Sequence, residues 1–157
     1  MKEFDYDLDY KKLNFTDTET RELYRIGRGE QGVLLVRPYT NIICNHWRFK
    51  TPREAIISSN KIFAMYLDYR DEGDFIGMDM CRKFLEMGFT RARRYANHKD
   101  GKKYDESGNV RPQEKDWATS DKARSAKIFK AARDRVTTDN KYIQMRKEWR
   151  QRENANV

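Results

Sequence analysis

The sequence predicts an α+β fold: a small antiparallel sheet or hairpin over about residues 33–49, packed with three to five helices in a single domain spanning 1–157. Three observations predict it. Two runs rich in β-branched and aromatic residues, Gly32–Val36 and Asn41–Phe49, flank the turn-forming Arg37-Pro38-Tyr39-Thr40. Apolar residues recur at helical spacing after capping signals at Thr51, Asp74 and Ser120. Aromatic residues make up 13% of a chain that is only 38% hydrophobic. Each buried ring removes roughly 150–250 Å² from water, so few residues suffice for a core.

The elements follow in order. Residues 1–26 form an acidic N-terminal segment; counted to residue 30, the chain holds eight acids against six bases. Phe4, Tyr6, Leu8 and Tyr10 alternate with Asp5, Asp7 and Asp9, a period of two that suits an edge strand or an extended arm laid on the core. The stretch from Asp17 to Tyr24 fits one or two helical turns. Gly27, Gly29 and Gly32 then make a turn region that leads into the hairpin. Thr51 can cap a helix over about 53–70, with Pro52 at its first position and Glu54 at capping-box spacing. Its expected apolar stripe is Ile56, Asn60, Phe63 and Leu67, with Ile62, Met65 and Tyr66 beside it.

Asp74 can cap the next helix, over about 74–87, where Ile76, Met80, Phe84 and Met87 form a stripe. Gly88 reads as its C′ glycine. Thr90 then opens a separate short basic helix, Arg91–His98. Residues 99–119 read as a polar loop. Ser120 or Asp121 starts a basic C-terminal helical region, 120–153, in which Ala126, Phe129, Ala132 and Val136, then Tyr142, Met145 and Trp149, lie three or four apart. Val136-Thr137-Thr138 marks a bend or break.

Charge narrows the partners. The chain is 37% charged with a net charge of +8 and a pI near 9.5. Such a surplus implies polyanions, nucleic acid first, then nucleotide phosphates or an acidic protein. The longest apolar run, Val33–Val36, is far too short to cross a membrane, and the acidic N-terminus has no apolar signal-peptide core. A cytoplasmic location, the host cytoplasm if the protein is phage-encoded, is expected. Cys44 and Cys81 make no disulfide framework and fit a reducing compartment.

Two stretches concentrate the charge. Residues 82–103 hold eight bases and two acids, and residues 120–153 hold eleven bases and five acids. In the first, Arg91, Arg94 and His98 would fall within about 60° of one another on a helix. Arg93, Lys99, Lys102 and Lys103 extend the positive surface. Arginine suits phosphate because its planar fork donates parallel hydrogen bonds. Tyr95 could stack on a base or sugar, and a helix N-terminus at Thr90 would add backbone N–H donors. On a strand over 45–50, His46, Arg48 and Lys50 would share one face, with Trp47 and Phe49 on the other. Arg48 and Lys50 are therefore further anion-binding candidates. The second stretch reads mainly as the wet side of an amphipathic helix.

Other motifs say less. Gly27-Arg-Gly-Glu-Gln-Gly32 matches G-x-G-x-x-G, but a strand, not a helix, is expected to follow, so the dinucleotide reading fails. The glycines read as a structural turn, with Arg28, Glu30 and Gln31 as possible ligand-facing groups. Cys44 and His46 lack a second pair at metal-ligand spacing. Asp74, Asp79, Glu72 and Glu86 read as caps and surface partners. No metal site, catalytic motif or cofactor is expected.

Three segments carry a resemblance: Arg25-Ile-Gly-Arg-Gly-Glu-Gln-Gly-Val-Leu-Leu-Val, His46-Trp-Arg-Phe-Lys-Thr-Pro, and the stretch from Phe75 to His98. Through them the chain resembles a small family of unknown function shared between bacteria, some eukaryotes and large tailed phages of marine cyanobacteria. The resemblance spans most of the chain. It implies a standalone domain and makes a phage source plausible, and it brings no activity with it.

The expected function is a basic accessory protein that binds nucleic acid or another phosphate-bearing polyanion without catalysis. Arg91, Arg93, Arg94, His98, Lys99, Lys102 and Lys103 would supply the contact. A second reading is an enzyme or sequestering protein for a small phosphorylated ligand, with Arg28, Glu30, Gln31, His46 and Tyr95 joining Arg91, Arg94 and His98 in one pocket. A third is a module that binds an acidic host protein. The sequence leaves the oligomeric state open.

Overall fold

A computed structural model describes residues 2–155, and among them the regular structure is helical. A 3₁₀ turn, Tyr10–Lys12, precedes α1 (Thr18–Arg21), α2 (Tyr39–Cys44), α3 (Pro52–Glu72), α4 (Phe75–Asn97), α5 (Asp121–Thr137) and α6 (Asn140–Ala155). The only extended pairing among the described residues is one isolated antiparallel bridge, Tyr104 to Val110. The expected sheet is absent, and the fold is all-α rather than α+β.

The reason lies in residues 33–49. Val33, Val36, Thr40 and Ile43 are buried while Leu34 and Ile42 are exposed, so burial there recurs every three or four residues rather than every two. Successive turns are closed by Gln31 N–H to Arg28 O, Val33 N–H to Glu30 O and Leu35 N–H to Gly32 O. The Thr40 hydroxyl donates to Val33 O at 2.9 Å and accepts from Val36 N–H at 3.0 Å. One side chain thereby satisfies two backbone groups that a strand partner would otherwise take. Residues 45–50 are irregular and form no strand, yet the expected alternation is present: His46, Arg48 and Lys50 are exposed while Trp47 and Phe49 are half-buried against the core, their ring centres 5.0 Å apart.

The capping signals are realised. Thr51 accepts from Glu54 N–H, Asp74 from Gly77 N–H and Ser120 from Ala123 N–H. The buried stripe of α3 is Ala55, Ser59, Ile62 and Tyr66, rotated from the expected one; Ile56 and Asn60 face outward. Ala126, Phe129, Ala132 and Val136 of α5 are buried at their expected spacing, and the chain breaks between α5 and α6 at Thr138-Asp139. Asp139 secures this break, accepting from the Tyr66 hydroxyl at 2.6 Å and from Arg70 at 2.8 Å.

The helix that starts at Asp74 runs further than its sequence suggests. Gly88 does not end it, and Thr90 does not start another; α4 continues unbroken to Asn97. A Cβ at Gly88 would run into the Phe129 ring. This glycine therefore serves close approach of α4 and α5 rather than termination.

The first half of α4 lies at the centre of the molecule. Every residue from Phe75 to Leu85 is buried, enclosed by α2, α3, α5, α6 and the N-terminal segment. That segment contributes Phe4, Tyr10, Phe15, Tyr24 and Ile26 to the core as an irregular arm. No helix is long and apolar enough to cross a membrane among the described residues.

Candidate polyanion-binding cleft

Burying the first half of α4 on all sides takes Asp79, Arg82 and Lys83 inside with it, and each must find partners there. The Asp79 carboxylate accepts from the Tyr24 hydroxyl, from the Tyr142 hydroxyl at 2.7 Å and from Arg82 Nε at 2.7 Å. Burial alone would push its pKa up. The Arg82 and Lys83 charges and these hydrogen bonds outweigh burial and hold it at about 2. Tyr24 and Tyr142 are pushed well above the usual phenol range by burial and by the Asp79 charge.

Lys83 has no carboxylate in contact among the described residues. Its Nζ donates to Gln31 O at 2.7 Å and lies 4.7 Å and 4.8 Å from the centres of the Phe4 and Tyr24 rings. Burial lowers its pKa to about 7; Asp79 opposes the shift, and Arg82 and Arg150 add to it.

These cations hold the glycine turn. Arg150 donates to Gly27 O at 2.8 Å, Arg82 to Gly29 O at 2.7 Å and Lys83 to Gln31 O. Gln31 Oε1 accepts from Phe4 N–H and Arg28 N–H. Arg28 pairs with Glu3, and Glu30 accepts from the Thr90 hydroxyl. Gly32, at φ +77°, packs directly under the Phe4 ring, which fills the space a Cβ would need. The G-x-G-x-x-G stretch is thus a clasp whose carbonyls point at basic side chains, the buried Arg82 and Lys83 and the half-buried Arg150, the opposite polarity to a phosphate cradle of N–H groups.

At the far end of α4 the charges stay outside. A cleft of about 470 Å³ opens between the last turns of α4 and the loop that follows. Arg93, Arg94, His98, Lys103 and Arg111 all line it, and no carboxylate does. The loop is stapled down by Glu114 N–H to Asn97 O at 2.7 Å, by Lys99 N–H to the Glu114 carboxylate and by the Arg111–Asp100 ion pair at 2.6 Å. Arg111 N–H to Lys103 O then folds residues 103–111 into a short hairpin over the cleft. His98 is 7% exposed, and its Nδ1 is buried with no hydrogen-bond partner among the described residues. Arg93 reaches Asn97 and the Trp117 carbonyl, with its guanidinium 5.8 Å from the Trp117 ring centre. Arg94 has no such contact among the described residues. Trp117 and Tyr104 stay 44% and 55% exposed.

The structure divides the sequence candidates. It brings Arg93, Arg94, His98 and Lys103 into this cleft and adds Arg111, which the sequence alone did not single out. Its signal was weak: one arginine in a loop, where only the hairpin places it. Arg91 lines a different concavity, with Arg28, Glu30 and Gln31. Lys99 and Lys102 are exposed outside the cleft. Arg48 turns back onto the Cys44 and Trp47 carbonyls, and Lys50 and His46 are exposed elsewhere. Tyr95 packs against Phe49. The single pocket drawn from the glycine turn through His46 to His98 is therefore not assembled. Thr90 sits within α4, so it supplies no helix N-terminus to the cleft. The carbonyl end of α4 does, and attraction for an anion must come from the side chains.

The described residues contain no group of three or more His, Cys, Asp or Glu able to hold a metal. Cys44 and Cys81 are unpaired thiols.

Fold and site together define an all-helical protein with a cationic, carboxylate-free cleft at one end of its central helix. The chain belongs to the family described as Domain of unknown function (DUF4385), whose model matches residues 5–152. No curated protein and no solved structure matches it.

Proposed function

We propose that this protein is a binding protein for nucleic acid or another phosphate-bearing polyanion, engaged through the cleft at the C-terminal end of α4. The observation that carries the reading is the convergence of Arg93, Arg94 and Lys103, none of them in an ion pair among the described residues, on a cleft lined by no carboxylate; Arg111 joins them with its charge shared with Asp100. Elsewhere many basic side chains are neutralised at close range, as Lys130 and Arg133 are by Asp134 and Arg152 is by Glu22. Cations left without carboxylates in a concave surface attract phosphates and release counterions on binding. The exposed rings of Trp117, beside Arg93, and of Tyr104, beside Lys103, add surfaces on which bases can stack.

Fluorescence anisotropy with labelled single- and double-stranded oligonucleotides tests this across a salt series. Log affinity should fall linearly with log salt. Arg94→Ala with Lys103→Ala should flatten that slope by about one for each phosphate no longer neutralised. No binding at low salt, or binding indifferent to the double substitution, would sink the reading.

A further inference from the structure

A second cationic concavity lies about 18 Å away along α4, counting twelve residues from Arg82 to Arg94 at 1.5 Å per residue. It sits where α6 crosses the central helix. Its volume is about 610 Å³, inside the range of about 300–1,000 Å³ usual for small-molecule sites. Four bases line it, Arg82, Arg146, Lys147 and Arg150, together with Tyr142 and Ile143, and no carboxylate does.

Two of these bases are fixed in advance. Arg82 is 8% exposed and held by Asp79 through Nε and by Gly29 O through Nη1. Arg150 is held by Gly27 O, Lys2 O and Glu153. Both carboxylates, Asp79 and Glu153, are themselves buried and saturated: Asp79 by two tyrosines and Arg82, Glu153 by Ile26 N–H and Arg150. They orient the guanidiniums from behind without closing the opening to an anion. The Tyr142 hydroxyl is likewise tied to Asp79. Arg146 and Lys147 make no hydrogen bond or ion pair among the described residues. Of the other bases on α5 and α6, Arg124, Lys130, Arg133 and Arg152 hold carboxylates, while Lys127, Arg135 and Lys141 are without an ion pair among the described residues but lie outside this concavity. Preorganised guanidiniums on the floor and uncommitted cations at the rim form an arrangement suited to a compact multiply charged anion. Ile143 and the Tyr142 ring give one apolar wall.

We propose that this concavity binds a phosphate-bearing small molecule of about nucleotide size, independently of the polyanion cleft. Arg146 and Lys147 make the first contacts, and Arg82 and Arg150 fix the phosphates. The volume and the apolar wall favour a phosphate carried on an organic body over a bare ion.

The test is isothermal titration of the full chain at constant ionic strength, with pyrophosphate and adenosine monophosphate as probes and sodium chloride as the blank. Saturable binding of both is expected, weakened at least about tenfold by Arg146→Ala with Lys147→Ala. Both side chains are uncommitted, so the variant should fold, which its thermal melt checks. Arg94→Ala with Lys103→Ala should leave the affinity unchanged. The proposal is overturned by no saturable heat, by binding that follows the Arg94 and Lys103 pair instead, or by a response to oligonucleotide alone.

Discussion

Along α4, residues 79–83 and residues 91–94 each contain three charged side chains, and the protein treats them oppositely. Asp79, Arg82 and Lys83 are inside, each with its partners in place. Arg91 and Arg94 are exposed with no ion pair among the described residues, and Arg93 lies half-buried between them and Trp117. The contrast teaches that charge density along a helix does not reveal what the charge is for. Inside, it organises the chain, because an unpaired buried charge is strongly destabilising. Outside, it stays available to ligands, because an exposed cation loses little by remaining unpaired.

The largest effect expected is from Asp79→Ala. It strands Arg82 and two tyrosine hydroxyls, which should cost about 3–5 kcal/mol in chemical denaturation. A loss no larger than that from removing exposed Asp121 would erase the distinction between the two ends of α4. Next comes Gly88→Ala, at the junction of the two regions. A methyl group there meets the Phe129 ring, and overpacking of this kind costs about 1–3 kcal/mol. Stability left intact would mean that α4 and α5 separate easily.

A pH series sharpens the buried side. The folded pKa of Lys83, about 7, lies below the roughly 10.4 of an unfolded lysine. Between those values the unfolded chain binds a proton that the folded chain does not. Stability should therefore rise with pH above 7, by up to about 1.4 kcal/mol per unit from this group. The tyrosines reverse the trend from about pH 10, where unfolded phenols ionise. Melts between pH 7 and 9 should show the rise in the native chain and its loss in Lys83→Met. The smallest effect on stability is expected from Arg94→Ala, within about 0.5 kcal/mol, while oligonucleotide affinity falls. A variant that unfolds would place Arg94 with the structural charges.

Parts of this were legible in the sequence. The starts of α3, α4 and α5 followed from Thr51, Asp74 and Ser120, since capping is local chemistry. The break after Val136 was marked by its two threonines. The cationic end of α4 was visible as charge density, and four of the five basic groups lining the cleft were among the candidates. What escaped depended on distant segments. Val33–Val36 has strand-like composition, but Thr40 and the core decide its conformation, and a spacing of three and four was the available clue. Gly88 looked like a stop because its real reason, Phe129, lies 41 residues away in sequence. Asp79 read as a cap or surface partner, and Lys83 as one of the bases in the positive stretch 82–103. Tyr24 and Gln31 from the N-terminal side and Tyr142 from α6 make those residues interior.

The clasp on the glycine turn bears on how the chain comes to be folded during synthesis. Gly27 O is held by Arg150, Ile26 N–H by Glu153 and Tyr24 O by Trp149, across separations of 123, 127 and 125 residues. Contacts of such range form late and slow folding. While the ribosome is still making α5, the arm has none of these three anchors, and Phe4, Tyr10 and Phe15 have only part of their final cover. A chain lacking residues 149–153 is therefore expected to leave residues 24–27 without these three anchors.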